Sequence, residues 1–210
     1  DRVLDKDVHL SEVFLIISIC TEETIKILSS FFSSNCTFWE IWNIRKFEFL
    51  QAYRDDKRGQ INTNETFLIH SDRKSAFGKL AIDALYYMPL INHDEYKAYL
   101  QIHKFFYGAF QILDDISDLR EDYQKKQFNI ALAEVMKNRQ ESKALKSGEA
   151  ISEVFYTKRL YTRLFTLARE YVDKARFIAS QYGLHYMVEE RDKLWNTTVI
   201  QQQNVNTYLY

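Results

Sequence analysis

Five of the nine residues from 114 to 122 are acids, in the run Asp114-Asp115-Ile116-Ser117-Asp118-Leu119-Arg120-Glu121-Asp122. On a helix turning ~100° per residue, with Asp114 at zero, Asp118 falls at about 40°, Asp122 at about 80° and Glu121 at about −20°. Gln111 and Lys125 share that arc, whereas Ile112, Ile116 and Leu119 fall on the opposite side, at roughly 140–200°. A carboxylate stripe therefore backs onto an apolar one. Like charges spaced i,i+4 cost about 0.2–0.5 kcal/mol per pair, and Arg120, the cation inside the run, points away from the stripe. A hard divalent cation removes the repulsion. Mg²⁺ takes one or two carboxylates, keeps waters and binds phosphate oxygens, so the stripe suits a Mg²⁺–diphosphate site. The competing reading is a solvated acidic face. Two neighbours favour an interior location: the aromatic run Phe105, Phe106, Tyr107, Phe110 directly precedes the acids, and Gly108-Ala109 permits close helix packing.

Helical elements must carry these residues. Periodic apolar positions predict helices over His9 to Phe32, from Thr37 to about Arg58, and from a cap at Ser71 or Asp72 to Tyr87, with Asn62 to Asn64 as a polar connection. Pro89 ends the third. Asn92-His93-Asp94 is an N-terminal signal for a long helix through about Lys126, which holds the acidic run. Further helices are expected over Asn129 to Glu141, Ile151 to Gln181 and from about Tyr186. The reading is an all-α bundle of about seven helices in one domain, 1–210.

Composition agrees. The 210 residues include 5 Gly and 1 Pro, too few for the many turns of a β or α/β domain. With 28 Lys+Arg against 29 Asp+Glu, no global field draws the protein to nucleic acid or an anionic membrane. Cys20 and Cys36 make no disulfide framework, which suggests a reducing, cytoplasmic location. The apolar stretch Val13 to Cys20 is too short for a transmembrane segment. The scattered His9, His70, His93, His103 and His185 lack zinc-ligand spacing. The chain opens on Asp1 rather than Met, so N-terminal sequence is expected to be missing.

The segment Phe110-Gln111-Ile112-Leu113-Asp114-Asp115-Ile116-Ser117-Asp118 resembles the F-Q-x-x-D-D-x-x-D motif of trans-prenyl diphosphate synthases. Lys74-Ser75 resembles that family's Lys-Thr pair and Gly59-Gln60 its Gly-Gln pair, in the family's order. Asp118-Leu119-Arg120-Glu121-Asp122 also resembles the D-x-x-E-D motif of squalene and phytoene synthases, and Asp114, Asp118, Asp122 match the spacing of the terpene-cyclase metal triad. All belong to the class I isoprenoid synthase superfamily. The resemblance spans roughly residues 59–128. Asp1 and Asp5 resemble the remnant of that superfamily's first acidic motif, in which case the helices that precede it are absent. The Arg-rich segment of chain-elongating members and the C-terminal Arg-Tyr pair of bacterial cyclases are not evident.

The resemblance implies a helical bundle around a central cavity and a Mg²⁺-dependent enzyme that ionises an allylic prenyl diphosphate, as a terpene synthase or a prenyltransferase. By that resemblance Asp114, Asp115, Asp118 and Asp122, with Asp1 and Asp5 opposite, hold metal. Lys74, Lys125 and Lys126 bind diphosphate. Gln111 acts beside Asp114 and Asp118, and Phe77, Phe106, Tyr107 and Phe110 line the cavity. Two other readings stand beside it. One is a non-catalytic subunit or binding protein of the same fold, working as a homodimer or with a heteromeric partner. The other is an unrelated acidic helical protein that binds a cation or a basic peptide.

Overall fold

Helices make up every regular element that the computed structural model describes, over residues 10–58, 63–137 and 147–208. They are α1 (Leu10–Ser29), α2 (Phe38–Arg58), α3 (Asn64–Lys74), a short 3₁₀ turn (Ala76–Lys79), α4 (Leu80–Tyr87), α5 (His93–Ser117), α6 (Leu119–Lys125), α7 (Ile130–Lys137), α8 (Gly148–Thr157), α9 (Tyr161–Gln181) and α10 (His185–Tyr208). The chain groups into two compact units, Asp1–Asn43 and Ile44–Tyr210. Among the described residues, no helix is long and apolar enough to cross a membrane.

In the first unit, α1 is followed by a turn in which the Phe32 and Phe38 rings stack at 4.0 Å. The Trp39 indole N–H donates to the Ser33 carbonyl at 3.0 Å, and Trp39 and Trp42 meet edge to face.

The second unit is built around α5, which packs most extensively against α9. Ile112, Ile116 and Leu119, the apolar stripe opposite the acids, are 0%, 5% and 2% exposed. They join Phe67 of α3, Val135 of α7, Phe155 of α8, and Leu164, Phe165, Ala168 and Val172 of α9 in one core. Each such side chain contributes about 1.5–3 kcal/mol when fully buried, so the greasy stripe fixes the rotation of α5 and thereby turns the acids the other way. Gly108 sets the spacing. A β-carbon there would sit 2.6 Å from Leu68 Cδ1 and 3.1 Å from Tyr171 Cδ2. Gly108→Val is therefore expected to cost about 2–3 kcal/mol by overpacking, read as a lowered denaturation midpoint. Unchanged stability would contradict the close approach.

Several boundaries differ from the sequence expectations. Thr63, not Ser71 or Asp72, caps α3: it accepts from the Thr66 N–H at 3.1 Å, and Thr66 Oγ1 accepts from the Thr63 N–H at 3.0 Å. The helix expected through Tyr87 is interrupted by the 3₁₀ turn. Asn92 caps α5 as expected, with Glu95 returning a hydrogen bond to the Asn92 N–H at 2.8 Å. The long helix expected to reach Lys126 breaks at Asp118 (φ −95°, ψ 8°). The helix expected over Ile151 to Gln181 breaks at Lys158–Leu160, where Arg159 takes φ 54°. Hydrophobic periodicity carries through breaks of one to three residues, so these pauses leave little trace in it.

Candidate acidic site on α5 and α6

The break at Asp118 does not scatter the acids. The Asp118 N–H donates to the Asp114 carbonyl and the Asp122 N–H to the Asp118 carbonyl, both at 2.9 Å, so i→i−4 bonding continues across it. Asp114 and Asp122 are half-buried and Asp118 is exposed. Burial raises the pKa of Asp114, and the Asp118 and Asp122 charges push it further. Asp122 is also raised, by burial and by Asp118 and Glu121, against a hydrogen bond from Asn129. The three acids thus sit in one another's field.

Lys74, the last residue of α3, faces this field. Its positive charge works against the upward shift at Asp114, Asp115 and Asp122 alike. A lysine at the end of a helix and an acid stripe on the next long helix are therefore brought together, from positions 40 and more residues apart.

Asp115 turns inward. It is 3% exposed. One carboxylate oxygen accepts from Gln111 Nε2 at 2.7 Å and the other from the Ile130 N–H at 2.7 Å. Burial pushes its pKa up to about 7. The interior use of both oxygens separates it from the stripe with which it was grouped as a metal ligand. Gln111 is a partner within α5, bonded to Asp115 and, at 3.4 Å, to Asp114. Asn129 completes the support. Its amide donates to the Asp115 carbonyl at 2.6 Å and to Asp122 Oδ2 at 2.8 Å.

Lys125 pairs with Glu121 across one turn of α6. Lys126 is exposed and closes α6 in the left-handed region at φ 55°. Phe106 packs against the core, and Tyr107 sits between Phe106, Phe110 and His103. Phe110 and Phe77 are 49% and 46% exposed, open on the surface rather than enclosed. Phe77 meets Phe49 at 5.3 Å. Asp1, Asp5, Gly59 and Gln60 lie outside the described residues.

The donor set suits Mg²⁺ in its chemistry. The ligand atoms are hard oxygens whose mutual repulsion a cation relieves. Among the described residues no three of His, Cys, Asp and Glu converge into a ready metal cage, and Mg²⁺ does not require one, because it binds through one or two carboxylates with substrate phosphates and water.

Sequence reasoning missed three contributors: Asn129, His70 and Asp56. His70 Nε2 lies 2.7 Å from Asp56 Oδ1, and Lys74 Nζ lies 3.8 Å from Asp56 Oδ2. His70 stands four residues before Lys74, one turn of the same helix face, which was the available signal. Comparison with protein-family models, curated proteins and solved structures gives no match.

Proposed function

We propose that the protein is a Mg²⁺-dependent isoprenoid synthase that ionises an allylic prenyl diphosphate, as a terpene synthase or prenyltransferase. The observation that carries this reading is the placement of Lys74 in the common field of Asp114, Asp115 and Asp122. Asp114, Asp118 and Asp122 would hold the metal, which supplies Lewis-acid neutralisation of the leaving diphosphate. Lys74 presents a point charge to phosphate oxygens. As the allylic C–O bond breaks, its electron pair leaves with the diphosphate, and a charge fixed beforehand stabilises that developing anion without reorganising. The carbon cation left behind is closed by a second alkene, giving a coupled or cyclised product after loss of a proton. Tyr107 and Phe110 stand on the α5 face next to Asp114, where aromatic faces attract a cation by about 0.5–2 kcal/mol per ring.

A second reading has its own support. On the Ile44–Tyr210 unit, Phe47, Phe77 and Phe110 are 71%, 46% and 49% exposed, large aromatic side chains of the kind a partner subunit covers. In that case the chain is a non-catalytic subunit of the same fold, in a homodimer or with a heteromeric partner.

Product extraction separates these. With farnesyl or geranylgeranyl diphosphate and Mg²⁺, a cyclised or coupled hydrocarbon made without isopentenyl diphosphate identifies a terpene synthase or head-to-head coupling. Product that forms only with isopentenyl diphosphate identifies elongation. No product from the folded protein alone, with product restored by a copurifying chain, identifies the subunit.

A further inference from the structure

We propose that Asp56, in close contact with His70, is a positioning residue that keeps Lys74 off the acidic stripe and available to a diphosphate. The inference rests on the diphosphate reading above.

His70 and Lys74 lie one turn apart on α3, and the Asp56 carboxylate of α2 spans both. Oδ1 is 2.7 Å from His70 Nε2 and Oδ2 is 3.8 Å from Lys74 Nζ. His70 is 4% exposed, and its ring meets Phe128 edge-on at 5.9 Å. Phe128 directly precedes Asn129, which fixes Asp115 and Asp122. The dyad is therefore wedged between the lysine and the segment that supports the acids.

The dyad is not an ordinary structural pair. Asp56 Oδ1 and both ring nitrogens of His70 are buried without an aligned hydrogen bond. Buried polar groups are almost always satisfied, and exceptions concentrate where a fold gives up local stability for function. The electrostatics supply the function. A lysine and a divalent cation compete for the same carboxylates. Left alone, Lys74 would fall onto Asp114 and Asp122 and occupy the metal's ligands. Asp56 offers a loose counter-pull from the other side, weak enough at 3.8 Å to be exchanged for a phosphate oxygen.

The test is calorimetric titration of the full chain with Mg²⁺ and inorganic pyrophosphate, with thermal melting as the folding control. Asp56→Asn is expected to weaken binding about tenfold and His70→Gln severalfold in the same direction, as a positioned cation contact is lost. Lys74→Ala should weaken it as well, and adding Asp56→Asn to Lys74→Ala should change nothing further, which a purely structural role would not produce. The sign is decisive. If Asp56 acted only as a nearby negative charge, its removal would tighten anion binding, so unchanged or tighter binding in Asp56→Asn overturns the proposal. A loss that persists in the Lys74→Ala background overturns it too. His70→Gln stands as the second probe should Asp56→Asn not fold, and unchanged binding there overturns it equally. Wild-type protein that binds no pyrophosphate with Mg²⁺ defeats the diphosphate reading itself, a result distinct from the others.

Discussion

Asp83→Ala is expected to destabilise the fold by about 3–5 kcal/mol, the cost of breaking a buried ion pair from one side. Asp83 is fully buried on α4 and Arg45 is 7% exposed on α2. The Asp83 carboxylate accepts from Arg45 Nε and Nη2, both at 2.8 Å, and from the Tyr96 hydroxyl at 2.7 Å. Burial penalises the Arg45 charge, and Asp83 and Glu48 more than offset it, so its pKa is raised. The network continues through Glu48 to Lys79 at 2.8 Å and on to Asp72 at 2.9 Å. Removing Asp83 leaves a buried guanidinium with Glu48 as its remaining carboxylate partner and takes away the acceptor of the Tyr96 hydroxyl proton, which keeps its 3.5 Å contact from Arg45 Nη2. The paired change Arg45→Met/Asp83→Leu should recover most of the loss, because it removes both charges at once. Chemical denaturation measures both. A loss below about 1 kcal/mol for Asp83→Ala would place the pair in solvent-like surroundings.

The second large effect is on pH. Asp115 has an ordinary carboxyl value of 3.8 when unfolded and is pushed up to about 7 by burial, despite hydrogen bonds from the Ile130 N–H and Gln111. A raised carboxyl pKa means that the folded state holds the proton more tightly. Stability is therefore fully present below about pH 4, falls as pH rises, and levels off above about pH 7. Three units at 1.36 kcal/mol each make the total on the order of 4 kcal/mol. Asp114 and Asp122 are raised as well and act in the same direction. Asp115→Asn should flatten the slope between pH 4 and 7, with the Gln111 amide turning to accept from the new amide. A slope unchanged in Asp115→Asn would assign it to other groups.

The site's position on a helix was legible because the acid spacing and the apolar spacing are both local, and one follows from the other at 3.6 residues per turn. Asn92-His93-Asp94 announced the start of α5 in the same way, and Gly108-Ala109 its close packing. What stayed hidden is non-local. At about 100° on the wheel Asp115 already stands closer to the apolar stripe than Asp114, but what receives it is non-local: Ile130, 15 residues on, supplies the N–H. Arg45 and Asp83 meet across 38 residues. A signal did exist for that pair, because Asp83 sits in the apolar stretch Leu80-Ala81-Ile82-Asp83-Ala84-Leu85, and a charge in such a setting needs a partner. His70 was read as one of five scattered histidines, and only the fold brings α2 to its side.

We propose that Asp114 and Asp118 belong to a Mg²⁺–diphosphate site. The most direct measurement is pyrophosphate release from farnesyl and geranylgeranyl diphosphates, with and without Mg²⁺, by the full chain and by Asp114→Ala/Asp118→Ala. Release is expected to require Mg²⁺ and to fall about 10²–10³-fold in the double variant, from a protein no less stable, since two mutually repelling charges are gone. Release that proceeds undiminished in the double variant, or none from the folded protein with either substrate, would contradict the proposal.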